Sequence, residues 1–112
     1  MDDVTLGYPL PIRYANFMLY DMERENTKSL TISESKPLPM VSGLESDSPL
    51  PEFSKVRNRL KVMSGLNPST YQEPVTGTIT ILISGAQHIA KVYFNDKADD
   101  PFCLIELKKK DS

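Results

Sequence analysis

The sequence has few of the side chains on which catalysis, metal binding and covalent cross-linking usually depend. Its 112 residues include one cysteine, one histidine and no tryptophan. The single cysteine, Cys103, excludes an internal disulfide and any all-cysteine metal site. His88 has no second histidine, and no cysteine lies near it in the sequence, with which to form a zinc site. We therefore expect Cys103 to be a buried structural thiol and His88 to lie at the surface or to be half-buried.

The motifs of common enzyme classes are absent too. The sequence contains no G-x-S-x-G nucleophile elbow and no glycine-rich phosphate loop, so we predict a protein that is not an enzyme and has no cofactor. No apolar run approaches the roughly 20 residues of a membrane-spanning helix. The formal net charge of −2 offers no long-range attraction for nucleic acid. Because the acidic N-terminus is unlike a signal peptide, we expect a cytoplasmic protein, either free or at the membrane periphery.

Hydrophobic periodicity predicts most of the secondary structure. Residues 78–83 carry an isoleucine at every second position, and residues 102–107 alternate in the same way, which is typical of half-buried strands. The face that we expect to be buried carries Ile79, Ile81, Ile83, Ile105 and Leu107. Strands are predicted at 12–22, 28–33, 78–84, 90–94 and 102–108. Helical spacing predicts one amphipathic helix at 52–64, whose apolar stripe is Phe53, Val56, Leu60 and Met63.

These elements predict a mostly β or α+β fold, with an antiparallel, sandwich-like sheet and one short amphipathic helix. At this length we expect residues 1–112 to form a single domain. Residues 1–11 have no periodicity and are interpreted as an N-terminal arm. Residues 35–51 contain four prolines among small and acidic residues, so we interpret them as a linker or a loop that follows the surface.

The order of features after residue 76 resembles the opening of a C2 domain. Gly77 precedes the aliphatic strand, small and aliphatic residues follow it, and an Asp100-Pro101-Phe102 turn leads into the next strand. The resemblance covers residues 76–112. It implies a β-sandwich signalling module that binds phospholipid or protein. A sandwich of about eight strands in two packed sheets does not fit after residue 76. The chain is then either a fragment carrying the start of a C2 domain or a smaller, unrelated β-sheet protein.

The loop before the second strand carries Asp96, Asp99 and Asp100, which are hard oxygen ligands of the kind that calcium prefers. The resemblance implies that Asp100 is one calcium ligand and that Asp96, or Asn95, is another. The second calcium loop of the family would come later than this chain extends. We therefore predict calcium-independent function with at most weak, millimolar calcium binding; the alternative is a solvated turn.

Two groups of basic residues are candidate partner-binding or lipid-binding residues. The first comprises Lys55, Arg57, Arg59 and Lys61, which lie off the apolar stripe of the predicted helix; the second comprises Lys108, Lys109 and Lys110. A basic amphipathic helix binds anionic membranes or acidic proteins. The alternative is a helix packed on the sheet with solvated charges.

The hypothesis from sequence is a non-enzymatic binding module of an intracellular signalling or membrane-associated protein. It would be C2-like and would bind another protein or an anionic membrane surface. The alternative is a small structural or accessory protein, for example a viral one, that forms a homo-oligomer through its strand edges.

Overall fold

The computed structural model describes residues 9–44, 49–68 and 74–110, and the structural statements below concern these residues. Two helices and four strands are formed, so the α+β class with an antiparallel sheet is confirmed. In chain order the elements are α1 (Leu10–Arg24), β1 (Ser29–Ser33), α2 (Phe53–Met63), β2 (Val75–Ile83), β3 (Ala86–Asn95) and β4 (Phe102–Lys109). No helix in the described ranges is long and apolar enough to cross a bilayer.

The four strands form one antiparallel sheet in the order β1-β4-β3-β2. Ser84 and Gly85, with φ of +52° and +80°, make the two-residue turn between β2 and β3 that suits the twist of a hairpin. Both helices pack on one face of the sheet, where Ile79, Val92 and Ile105 are buried. The second layer is therefore helical. The sandwich-like arrangement of two sheets is not what the described residues form.

The prediction of a strand at residues 12–22 is wrong, because this segment is the middle of α1. Five buried residues recur at helical spacing along it: Tyr14, Ala15, Met18, Leu19 and Met22. Pro9 at the N-cap and Pro11 within the first turn favour a helix start here. The predicted number of helices, one, is wrong for the same reason. The predicted arm of residues 1–11 also ends in α1, and residues 1–8 lie outside the described part.

The other elements agree closely with their predicted positions, except that β3 begins at Ala86, well before residue 90. Four of the five residues predicted on the buried face are buried, namely Ile79, Ile83, Ile105 and Leu107. Ile81 is only half-buried. It lies on β2 between Ile79 and Ile83, which share its face and are buried.

Residues 35–44 and 49–51 contain neither helix nor strand, yet part of this segment belongs to the core. Leu38 and Val41 are buried. The Tyr14 hydroxyl donates a hydrogen bond to the Pro39 carbonyl, which fastens the segment to α1. Burial, and secondarily the nearby Asp21 carboxylate, raises the pKa of Tyr14, so the hydroxyl stays protonated and able to donate.

Candidate functional site

The acidic loop and the basic helix, predicted as separate sites, meet in a buried ion cluster. Asp96 follows β3 directly, and its side chain is 4% exposed. Lys61 of α2 donates a hydrogen bond to Asp96 Oδ2, and Arg57, one turn earlier, places Nη1 3.8 Å from Oδ1. The Lys61 side chain is 5% exposed and that of Arg57 10%. The cluster therefore joins α2 to the β3–β4 loop.

Aromatic rings and an amide help to accommodate the two buried cations. The Arg57 guanidinium lies 5.8 Å from the centre of the Phe53 ring, and Lys61 Nζ lies 5.8 Å from that of Phe94. Arg57 also donates two hydrogen bonds to Asn58 Oδ1. Such contacts offset part of the cost of removing cations from water. The side chains of Arg57 and Lys61 therefore lie in the interior of the protein and not on its surface.

The predicted basic surface on α2 is consequently much reduced. Lys55 is exposed and Arg59 is half-buried, whereas Arg57 and Lys61 point inward. Lys108, Lys109 and Lys110 are exposed at the end of β4 and form a separate group. Lys109 is opposite His88, near the start of β3. The cations of α2 contact Asp96, which follows the last residue of β3, so the two groups lie near opposite ends of this strand.

Asp100 and Asp99 do not join Asp96 in a metal site. Asp100 accepts hydrogen bonds from the Ser35 amide, at 2.9 Å, and from the Ser35 hydroxyl. The bond from the Ser35 hydroxyl is the main reason why the pKa of Asp100 is lowered. Asp99 is exposed. Among residues 9–44, 49–68 and 74–110, no three histidine, cysteine or acidic side chains are placed to hold a metal ion.

The expectation that His88 lies at the surface or is half-buried is wrong, because it is fully buried, with 1% exposure. Its Nδ1 lies 2.9 Å from the Ala86 carbonyl oxygen; because a carbonyl only accepts, Nδ1 carries a proton in this bond. Its Nε2 lies 2.9 Å from Glu23 Oε2 of α1, within ion-pair distance but without the alignment of a hydrogen bond. His88 shares the buried face with Ala90, and extending the period-2 pattern of β3 back to residue 86 would have placed it there.

Comparison with protein-family models and with curated proteins gives no match to this chain. The surfaces that the fold leaves open are therefore the features from which function is inferred.

The largest unpartnered feature of the described sheet is the free edge of β2, whose one neighbour is β3. The turn makes Ile83 and Ala86 a hydrogen-bonded pair. The next residue of β3, Gln87, accepts a hydrogen bond from the Lys110 amide on the β4 side. Leu82, opposite Gln87, therefore points its backbone groups away from β3. Alternation gives the same outward direction to Thr80, Thr78 and Thr76.

The composition of β2 leaves this edge unprotected. Its nine residues, VTGTITILI, include no charged residue and no proline, although charges and proline are the usual means by which edge strands avoid pairing. The other edge strand, β1, has five residues and is flanked by Lys28 and Glu34. Sequence periodicity predicted β2 itself, but it did not show that the strand lies at an edge.

A cleft of about 620 Å³ adjoins the hairpin end of this edge. It lies between the C-terminal half of α1 and the end of β2, and it is lined by Tyr20, Asp21, Glu23, Arg24, Leu82, Ile83 and Ser84. Tyr20 and Leu82 are 36% and 63% exposed. The edge and the cleft together offer backbone hydrogen-bonding groups next to a partly apolar pocket.

Proposed function

We propose that this chain is a non-enzymatic protein-interaction module that binds an extended segment of a partner protein along the free edge of β2. The observation that carries the proposal is the nine-residue, uncharged edge strand with four residues directing their backbone groups outward. A segment that adds to such an edge forms main-chain hydrogen bonds with it, and side-chain pockets beside the edge provide selectivity.

The cleft beside Leu82 supports a partner protein as the occupant. A bound strand that continues past Leu82 reaches Tyr20 and the acidic side chains of α1. A side chain with an apolar body fits the Tyr20 and Leu82 surfaces. Because β2 presents threonines on the open face of the sheet, pairing of two β2 strands buries little apolar area, which disfavours a stable dimer of this chain.

The proposal keeps some features of the C2-like hypothesis and rejects others. The proposal keeps calcium-independent binding. Asp96 is paired with Lys61 and Asp100 with Ser35. Within the described residues, Asp99 therefore has no other acidic side chain with which to form a calcium site. Anionic lipid binding through α2 is not kept, because Arg57 and Lys61 face the interior. A signalling role is kept, because the resemblance of residues 76–112 to a C2 domain implies it.

The test uses two proline variants matched in residue type and exposure. Thr80→Pro removes an amide that points to the free edge of β2 and leaves the bonds to β3 intact. Thr31→Pro does the same on β1. The backbone groups of Lys28 and Glu34 form hydrogen bonds on the β4 side. By alternation, the backbone groups of the odd-numbered residues of β1, including Thr31, point to the free edge. Edge strands tolerate proline at such positions.

Peptides are selected from a phage-displayed random library on the wild-type protein, and their binding is measured by calorimetry. We expect selected peptides to lose binding to Thr80→Pro and to keep it with Thr31→Pro. Hydrogen exchange should slow at the amides of Thr76, Thr78, Thr80 and Leu82. Peptides that bind both variants equally would refute the proposal. A wild-type dimer seen by light scattering and lost only in Thr80→Pro would instead identify a second copy as the occupant.

A further inference from the structure

We infer that the end of the sheet at which β4 finishes is a binding site for a phosphate-bearing anion, separate from the free edge of β2. The fold brings five exposed lysines to this end from three places in the sequence: Lys28, Lys91, Lys108, Lys109 and Lys110. Only the last three are adjacent in the sequence, whereas Lys28 and Lys91 are distant along the chain.

The pairing of β1, β4 and β3 explains how these lysines come together. Lys28 accepts a backbone hydrogen bond from the Leu107 amide, at 2.9 Å, so it lies beside the last residues of β4. On the other side of β4, Lys91 is directly opposite Glu106, which lies two residues before Lys108 on the same strand face. The three lysines therefore surround one short length of β4.

Two neighbouring clefts lie between these side chains. One of about 340 Å³ is lined by Lys28, Lys91, Glu106, Leu107 and Lys108. The other, of about 190 Å³, is lined by Lys28, Lys108 and Lys109, by the acidic Glu23, and by Met22, Asn26, Thr27 and Leu107. Lys28, Leu107 and Lys108 line both clefts and so form the wall between them. An anion bound at this wall is within reach of ammonium groups on both sides.

The lysines have uncompensated charge even though the whole chain is acidic, with a net charge of −2. None of the five forms a salt bridge with a residue in the described part of the chain, where the salt bridges involve Arg24, Arg57, Lys61 and His88. The larger cleft contains three lysines and a single carboxylate, that of Glu106. Its local excess of positive charge favours a ligand with two negative charges.

A phosphate group meets this requirement, because it carries a charge of about −1.5 to −2 near neutral pH. Lysine ammonium groups bind it as point charges and do not need the planar geometry of arginine. The larger cleft, of about 340 Å³, is within the usual size of small-molecule sites. It has room for a phosphate carried on a larger molecule, either a soluble one or a lipid headgroup.

The site is tested by NMR titration of the whole chain with inorganic pyrophosphate and, separately, by sedimentation with phosphatidylcholine vesicles that contain or lack phosphatidic acid. We expect saturable shifts at the amides of Lys28, Lys91 and Leu107–Lys109, and weaker binding as salt is added. Binding of pyrophosphate alone identifies a soluble ligand, and binding of phosphatidic acid vesicles alone identifies a headgroup. Binding of neither refutes the inference.

Two variants and a control separate this site from general charge attraction. Lys28→Gln/Lys108→Gln should weaken binding by at least about tenfold. The control, Lys36→Gln/Lys55→Gln, removes the same charge at exposed lysines elsewhere and should change affinity by less than about twofold. Glu106→Gln should tighten binding by about threefold, because it removes the carboxylate that lines the larger cleft. Equal losses in the double variant and the control, or no gain in Glu106→Gln, would refute the site.

This inference stands apart from the proposed function. Thr80→Pro alters the β2 edge and should bind pyrophosphate like the wild type. The two lysine substitutions should leave peptide binding at the β2 edge unchanged. Each proposal can therefore fail without the other.

Discussion

At the residue scale, the buried cluster of Asp96, Lys61 and Arg57 is the most consequential feature of the molecule. Two cations share one carboxylate, and the three side chains are at most 10% exposed. Burial of such charges is tolerated only when they are paired, and Asp96 is the one carboxylate that both cations face in the described part of the chain. The cluster fixes the C-terminal half of α2 against the loop that leaves β3.

Substitution of Asp96 by Asn should therefore be strongly destabilising. Removing the anion leaves two buried cations uncompensated, and breaking a buried pair in this way costs about 3–5 kcal/mol. Urea unfolding measures the loss, with Asp99→Asn as the control, because the exposed Asp99 should change stability by less than about 0.5 kcal/mol.

A double-mutant cycle with Lys61→Met tests whether the pair itself is responsible. We expect the double variant to recover part of the stability lost in Asp96→Asn, giving a coupling of about 0.5–3 kcal/mol. Additive losses would show that Asp96 acts through the loop and not through Lys61.

The isoleucines of β2 provide a second comparison at this scale. Ile79 is 2% exposed, and Ile79→Ala should cost about 2–5 kcal/mol of unfolding free energy. Ile81 was expected to be buried in the same way, but it is half-buried, so Ile81→Ala should cost less than Ile79→Ala. Chemical denaturation of the two variants decides the point; equal losses would mean that the edge is covered in solution.

At the scale of elements, the packing of α2 on the sheet depends on Gly77 of β2. A Cβ at this position would collide with Cβ of Ser64, the residue at the C-cap of α2, and would contact Leu66 at 3.3 Å. The glycine is needed for this close approach of the turn after α2. Its φ is not positive, so backbone conformation does not require it.

Gly77→Ala should thus destabilise the protein by about 1–3 kcal/mol, as is typical of overpacked sites. The collision is with Ser64 Cβ. The double variant Gly77→Ala/Ser64→Gly should therefore be more stable than the sum of the stability losses of Gly77→Ala and Ser64→Gly predicts. Ser64→Ala in place of Ser64→Gly is the matched control, because it keeps the Cβ. Thermal unfolding measures the three single variants and the two double variants, and equal rescue by both Ser64 substitutions would contradict the steric explanation.

At the scale of the whole molecule, one core joins both helices to all four strands. Cys103 lies at its centre with 0% exposure. Burial raises the pKa of its thiol to about 12, and the neighbouring Asp96 carboxylate contributes in the same direction. The thiol is therefore both inaccessible and protonated near neutral pH, which makes it unreactive in the folded state.

Reaction of Cys103 with a thiol reagent should report on unfolding of the whole molecule. At pH 8 we expect no measurable reaction on a time scale of minutes in buffer and complete reaction in concentrated denaturant. The dependence of the rate on denaturant should follow the unfolding transition measured by circular dichroism. Rapid reaction of the folded protein would show that the core opens locally at β4.

The sequence predicted every element of the described fold except α1, and also the class of fold, because alternation and helical spacing record which face of an element is buried. It failed at α1, where aromatic residues suggested a strand although Tyr14, Met18 and Met22 repeat at helical spacing. It also failed at His88, because β3 was predicted too short.

The sequence alone determined the strands, α2 and the chemistry available to the chain, since these depend on local periodicity and residue type. Only the tertiary structure decided which charged side chains are exposed and which strand edge is open. Arg57 and Lys61 are buried against Asp96, and Lys28 and Lys91 lie beside Lys108. The strand β2 has one neighbouring strand in the described sheet. Strand order and helix packing bring together residues far apart in the chain, and no local pattern encodes that proximity.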